Sequence, residues 1–481
     1  MMDNKSAIER DDIQGLLIRG YSNLKEACFI MLQFGDVSET KKYLQSLQTK
    51  LTNAEKSSRD VAINVAFNNE GIRKLDLPKE LWDSFSRQFK EGMTEPNRSF
   101  ILGDYEQNDP QYWKWGTSAH EPIHCMLMIY ARDKNILSSA FATEKSLYQS
   151  HGIKEVITLE TSRPPNDKEH FGFHDGISQP VIDGLSDKNP GYSENVLPAG
   201  EFILGYNNIY GQLPDSPCVL SVGDPLNLLP AKENSAGVKD FGKNGSYLVV
   251  RQMSQDVHGF WNFLKTHSKE AGASVEDKAI CLGAKMVGRW PSGAPLVLSP
   301  DKDDPSLSNA NQFRYWDEDH HGLKCPVGAH VRRTNPRNEL LTEQNSKDSL
   351  QMIQKHRLLR RGRAYGEPLA NSMEAKDLMD AADDGQERGL HFMCFAGDLV
   401  RQFEFVQNAW VKFHKFGGLY DDADPIVGTK MKKEGVTTDT FTVPAEPIRR
   451  KYKDVPQFTT VKGGAYFFFP GIRAFKYLSE M

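Results

Sequence analysis

The sequence predicts an α+β fold with antiparallel sheets, organised as two halves of the same grammar. Short apolar runs of strand length alternate with amphipathic runs of helix length in both halves. A Gly/Pro-rich connector at about 183–227 separates them. The 481 residues, 39% of them apolar, suffice for one large or two ordinary domains with buried cores.

In order, 15–18 and 27–32 read as strands and 38–51 as a polar helix, a β-β-α opening. Residues 61–67 alternate as a strand, and 69–75 form a short helix. An amphipathic helix is expected over 78–93, with Leu81, Trp82, Phe85 and Phe89 at helical spacing facing the core. The stretch 97–121, rich in Asn, Asp, Gly and Trp, reads as a long functional loop or an excursion over the surface. Strand 124–130, helix 133–151 and strand 156–159 complete a split β-α-β arrangement. The second half repeats the pattern with strand 247–250, helix 256–268, strand 390–395, helix 399–411, strand 466–469 and terminal helix 472–478. This order suggests a duplicated ferredoxin-like unit, divided as 1–190 and 191–481. The insertions 296–311, 317–321 and 373–389 read as solvated loops, and the Asp/His-rich 317–321 leaves a divalent-cation site open.

A net charge of −5, from 59 Lys+Arg against 64 Asp+Glu, offers no general attraction to nucleic acid or to an anionic membrane. The six cysteines lie scattered, with Cys28, Cys125 and Cys394 inside apolar runs, and read as reduced thiols. Residues 1–15 carry no apolar signal core, and runs such as 465–469 are too short to span a bilayer, so cytoplasmic residence is expected.

Three stretches carry chemistry. In Cys325-Pro326-Val327-Gly328-Ala329-His330, the histidine is followed by Arg332, Arg333 and Arg337. An imidazole beside guanidinium groups suits an iron cofactor bearing carboxylates, whereas an ordinary hydrogen-bonded histidine is the plainer reading. The spacing from Cys325 fits neither covalent haem attachment nor a zinc site, although Cys325 itself remains open as a thiolate ligand. The second stretch, 171–180, sets Asp175 between Gly172 and Gly176, which allows either close backbone approach to a flat ligand or a plain Asp-Gly turn. In the third, 356–366, alternation sends Leu358 and Arg360 to one face. If that face is inward, Arg360 needs an acid or an oxyanion; if outward, the stretch is a solvated edge.

Taken together, G-x-x-D-G at 172–176, G-A-H-V-R-R-T-N-P-R at 328–337, H-R-L-L-R-R-G at 356–362 and R-Q-F-E-F-V-Q at 401–407, with Phe416-Gly417-Gly418 following, resemble the dye-decolourising haem peroxidases. The resemblance runs from about residue 13 to the C-terminus and is to the longer members. It implies one haem b per chain, with His330 as axial iron ligand and Glu404 hydrogen-bonded to the other imidazole nitrogen. Arg337 would meet a haem propionate, and Gly172 and Gly176 would let the backbone approach the cofactor. Asp175 would be the distal acid–base and Arg360 the stabiliser of O–O heterolysis, with Leu390 and Phe392 walling the peroxide pocket. The activity implied is reduction of H2O2 through a ferryl porphyrin radical, at the expense of dyes, phenols or similar donors. Tyr365 and Trp410 are candidate electron relays for donors too large to enter, and His174 a neighbour able to tune Asp175. The alternatives are a haem-binding or haem-handling protein without efficient turnover, which would not need both Asp175 and Arg360, and a cofactor-free interaction module. Self-association stays open.

Overall fold

The structure, a computed structural model, describes residues 7–55, 58–185, 193–269, 274–340, 346–433 and 435–481. The expected boundary at 190/191 and part of the connector lie outside the described residues. The first half contains β1 (Glu26–Gln33), α1 (Val37–Leu47), β2 (Val61–Phe67), β3 (Cys125–Ala131), α2 (Lys134–Ser150) and β4 (Lys154–Glu160). The second contains β5 (Ser246–Gln255), α3 (Val257–Thr266), α4 (Val275–Val287), α5 (His330–Thr334), β6 (Leu359–Arg360), β7 (Arg363–Tyr365), β8 (Gly389–Ala396), β9 (Thr459–Phe469) and α6 (Ile472–Glu480).

The strands form one sheet in the order β6-β8-β5-β9-β2-β3-β1-β4, with β7 also paired to β8. Neighbours are antiparallel throughout. In each half the opening strand lies centrally, between the half's penultimate and final strands, which is the ferredoxin-like order twice over. The halves meet where Phe468 of β9 pairs with Phe67 of β2. Both faces of β1 are buried: Cys28, Ile30 and Leu32 enter one core cluster, and Ala27, Phe29 and Met31 another. That is why the run reads as continuously apolar. α1 starts at Asp36, whose carboxylate accepts the Glu39 amide, and buries Tyr43, Leu44 and Leu47 in the first of these clusters.

Several expectations need correction. Residues 15–18 form a helical turn (Gly15–Ile18) with Leu16 and Leu17 buried, because four apolar residues alone do not distinguish a buried strand from a buried turn. The 78–93 helix is two short helices, Lys79–Asp83 and Arg87–Glu91. Between them the Ser84 hydroxyl is tied to the Leu81 and Cys218 carbonyls, and Ser86 caps the second helix. The 97–121 stretch is no surface loop: it carries helix Pro96–Leu102 and buries Arg98, Asp104, Trp113 and Trp115. Insertion 373–389 sends Met373, Ala375 and Leu378 into a core cluster with α3 and α4. Within 317–321, Asp319 is buried and paired with Arg332 at 2.9 Å. Among the described residues, no group of three or more His, Cys, Asp or Glu is placed to hold a metal ion.

Candidate active site

A cavity with about 1650 Å³ of space free of protein atoms, part of it open to solvent, is walled by the second half and by the loop that carries Asp175. Alternate residues of β5 (Arg251, Met253, Gln255) and of β8 (Leu390, Phe392) line one wall, as strand periodicity requires. α5, the end of α4 and the helical segment 400–412 line the others.

His330 opens α5, and its Nδ1 lies 2.9 Å from Asp424 Oδ2. Asp424 is fully buried, and its Oδ1 accepts the Ile426 and Val427 amides. Burial would raise this carboxyl, but the charge and hydrogen bond of His330, with Arg333 behind them, hold it at about 2. Conversely, burial opposes a charged His330, and Asp424 more than offsets this, raising the imidazole above its ordinary value. The proton therefore sits on Nδ1. Nε2 has no protein partner among the described residues, and the ring lines the cavity.

Asp175 and Arg360 line the same cavity. Arg360 Nη1 donates to Asp175 Oδ1 at 3.0 Å, the Gly176 amide donates to the same oxygen at 2.6 Å, and Gln179 Oε1 accepts the Arg360 amide. Asp175 keeps 43% of its side-chain surface, but it sits deep enough for desolvation to push its carboxyl upward. The Arg360 charge and the Gly176 amide win, holding it below the ordinary carboxylate value. The fields of His330 and Asp175 reach one another, as expected of groups sharing one space. Leu358 lines the cavity with Arg360, so the basic stretch is inward-facing.

This donor set fits an iron macrocycle with carboxylates. A partner-less imidazole nitrogen could meet the metal, and Leu390, Phe392, Phe403 and Ile426 would face a flat apolar body. Arg337 and Arg289 lie 3.7 and 5.7 Å from the Phe313 ring centroid, two guanidinium groups for acids at one end.

Residues 12–165 match the family model for the DyP dimeric alpha+beta barrel domain. A dye-decolourising peroxidase of Auricularia auricula-judae is 29% identical over 500 residues, covering 98% of this chain and 86% of its own. A multifunctional dye peroxidase of Amycolatopsis sp. is 26% identical over 97% of this chain and 95% of its own. Among solved structures, a dye-decolourising peroxidase in complex with 2,6-dimethoxyphenol superposes with a TM-score of 0.74 at 26% identity, over 98% of this chain and all of its own. These likenesses support a DyP-type peroxidase.

In this peroxidase, one residue implied by the resemblance is misplaced. Glu404 does not face His330. Both of its oxygens accept Arg98 Nη1, at 2.6 and 2.7 Å, and Oε1 also accepts the Tyr466 hydroxyl of β9. The 400–412 helix is widely wound there, with the Glu404 amide bonded to the Leu399 carbonyl five residues back. A buried guanidinium and a buried carboxylate hold each other, and Asp424 serves the imidazole instead. The signal for Asp424 was the acidic turn Asp421-Asp422-Ala423-Asp424, in which nothing local says which carboxylate is buried toward His330.

The peroxidase uses its other marked residues in several ways. Of the arginines after His330, only Arg337 lines the cavity. Arg332 pairs with Asp319 and Glu339, and Arg333 binds the Trp410 and Asp422 carbonyls, bracing α5. Gly172 and Gly176 do not line the cavity, contrary to expectation. Gly172 (φ +92°) lets the chain pass Leu378, which a Cβ would approach to 2.7 Å, while Gly176 (φ +84°) answers to backbone conformation alone. His174 lines the cavity beside Asp175. Tyr365 is 8% exposed and stacks on His391 at 4.6 Å; Trp410 is 3% exposed and packs against His356 and Phe405. Cys325 is buried outside the cavity wall and its thiol is pushed up to about 11, so it offers no thiolate ligand. Glu169, Arg251 and Arg289 were not singled out by the sequence, yet all line the cavity. Burial pushes Glu169 up to about 7, while it accepts the Phe171 and Phe173 amides and Gln255 Nε2, shaping the loop that carries Asp175.

Proposed function

We propose that the chain binds one haem b through His330 and reduces H2O2 at Asp175 and Arg360, drawing electrons from dyes, phenols or similar donors. One observation carries this reading: a histidine–aspartate pair with a partner-less Nε2 and an aspartate–arginine pair line a single cavity. The bound haem would supply the iron that takes peroxide and the conjugated ring that stores oxidising equivalents. Asp424 keeps the Nδ1 proton and so presents Nε2 as the ligand, raising its basicity. Arg337 is available to a propionate. Asp175, an anion at neutral pH and below, accepts a proton from H2O2 and returns it to the departing oxygen, so that water leaves. Arg360 steadies that carboxylate and sets a fixed positive charge beside the oxygen on which negative charge develops. Leu390 and Phe392 line the same cavity with apolar surface. The donor class is supported by the relatives' names as dye peroxidases and by the dimethoxyphenol complex. All six cysteines are free, and among the described residues no helix is long and apolar enough to cross a membrane; the free thiols support a cytoplasmic setting.

The test is the visible spectrum of the haem-loaded protein during rapid mixing with H2O2. A Soret band that converts promptly, and returns when a dye is added, is expected. A band that peroxide only bleaches, or no Soret band after reconstitution, overturns the reading.

A further inference from the structure

The peroxide step draws on Asp175 and Arg360 and leaves another acid of the cavity, Glu169, without a part. Its Oε1 accepts the Phe173 amide at 3.1 Å, and its Oε2 accepts the Phe171 amide at 2.9 Å and Gln255 Nε2 at 2.7 Å. Gln255 of β5 and Thr459, its register partner on β9, also line the cavity. The Gln255 amide oxygen and the Thr459 hydroxyl are buried and have no hydrogen-bond partner among the described residues. The oxygen and nitrogen of a Gln side chain exchange places when the amide turns over. Gln255 can therefore donate to Glu169 as a carboxylate or, turned over, accept from it as an acid. The two Phe amides keep their acceptors in both states, because a carboxyl oxygen that carries a proton still accepts. The charges packed around Glu169 are largely taken up by others. Lys168 pairs with Glu374, His170 is bonded to the Tyr365 carbonyl, Arg251 of β5 is paired with Asp104, and Arg388, whose carbonyl accepts the Gln255 amide, is paired with Asp384. The field of Asp175 adds to burial in favouring the acid, and Glu169 titrates at about 7, where Asp175 is an anion.

We propose that Glu169 and Gln255 form a proton-holding pair: Glu169 gives its proton to the cavity when a donor electron arrives, Gln255 turns to donate to the carboxylate left behind, and a proton from solvent, to which part of the cavity opens, restores the acid. The proposal deepens the peroxidase reading and rests on it. Reduction of one H2O2 to two waters takes in two electrons and two protons. Asp175 only moves a proton from one peroxide oxygen to the other, so both protons that complete the second water enter with the donor electrons. Asp175 is held below the ordinary carboxylate value and stores no proton at neutral pH, whereas a group that titrates near the working pH both holds and releases one. Over a full cycle the pair passes two protons and is left unchanged, while two donor molecules each lose one electron.

The experiment follows the haem-loaded protein and its Glu169→Gln and Gln255→Leu variants across neutral pH. Before peroxide is added, infrared difference spectra read the carboxyl C=O band of a protonated acid, which is expected to appear as pH falls through about 7 and to be missing in Glu169→Gln. Gln255→Leu removes a donor that favours the carboxylate, so there the band is expected at higher pH. Sequential stopped-flow mixing then reads two rates, conversion of the Soret band by H2O2 and its return with a small phenol. In the parent protein the return should accelerate as pH falls through about 7. In Gln255→Leu that limb should move up with the infrared band, and in Glu169→Gln it should vanish, with the return at acid pH slower by about 10²-fold. Soret conversion should keep the acid limb set by Asp175 in all three proteins. A residue that only holds the loop gives the opposite pattern, a slower conversion in Glu169→Gln with the pH limb of the return in place. That pattern, or a carboxyl band near pH 7 that Glu169→Gln retains, overturns the proposal. A parent protein whose Soret band H2O2 does not convert is a different failure: it removes the peroxidase reading and this proposal with it, and it is told apart because the infrared titration is read before peroxide.

Discussion

Replacing Asp424 by Asn tests whether this carboxylate, rather than Glu404, serves His330. An Asn oxygen can still accept the Ile426 and Val427 amides, so the turn holds. What changes is the group facing Nδ1. Holding the carboxyl at about 2 instead of its ordinary 3.8 corresponds to about 2 kcal/mol at roughly 1.4 kcal/mol per pH unit. The sign follows from linkage. The folded state depresses this carboxyl, so its contribution is present above about pH 4 and is lost as pH falls towards about 2. Acid unfolding of the haem-free parent should show this loss, and Asp424→Asn should lack it. In the loaded protein, loss of the anionic partner should raise the ferric/ferrous potential. Haem affinity should fall by about 10–100-fold. Spectroelectrochemistry of Asp424→Asn beside Glu404→Gln decides the matter. The first variant should shift the potential, while the second should leave it in place and lose stability by weakening the Arg98 pair. A potential that moves in Glu404→Gln and stays put in Asp424→Asn would refute the assignment.

Asp175→Asn should slow the peroxide step by about 10²–10⁴-fold and Arg360→Leu by about 10²–10³-fold, both retaining haem; stopped-flow Soret traces at parental rate would remove the residue from its role. Because the Arg360 charge helps hold the Asp175 carboxyl low, Arg360→Leu should also move the acid limb of the pH–rate profile upward, and a limb that stays in place contradicts that coupling. Glu169 titrates at about 7 in the fold against an ordinary 4.5, so it binds a proton in the folded state that the unfolded chain has lost. Its contribution to stability should therefore fall by about 3 kcal/mol as pH rises from 4.5 to 7, and a urea-denaturation series with Glu169→Gln should flatten that slope. Gly172→Ala sets a Cβ 2.7 Å from Leu378 at a left-handed φ; a loss of about 1–3 kcal/mol is expected, and pairing it with Leu378→Ala should recover only the steric part.

The sequence by itself determined the elements whose character is local. Continuous apolar runs such as 27–32 and 124–130 are strands buried on both faces, and their succession with amphipathic helices already spells the ferredoxin-like order twice. Alternation put Arg360 on one face with Leu358, and the packing turned that face inward, as the cavity lining shows. Where a run is too short for periodicity to speak, as at 15–18, or where serine hydroxyls compete for backbone carbonyls, as at 84–86, tertiary packing chose the conformation. Ionic partners were decided by the fold alone. His330 meets a carboxylate 94 residues away, and Glu404 meets an arginine 306 residues away. Neither pairing has a local signal, because a buried charge takes whichever counter-charge the returning chain brings within hydrogen-bond reach, and that is fixed only when the sheet and helix 400–412 are packed. The motifs marked the imidazole, and the packing selected the carboxylate behind it.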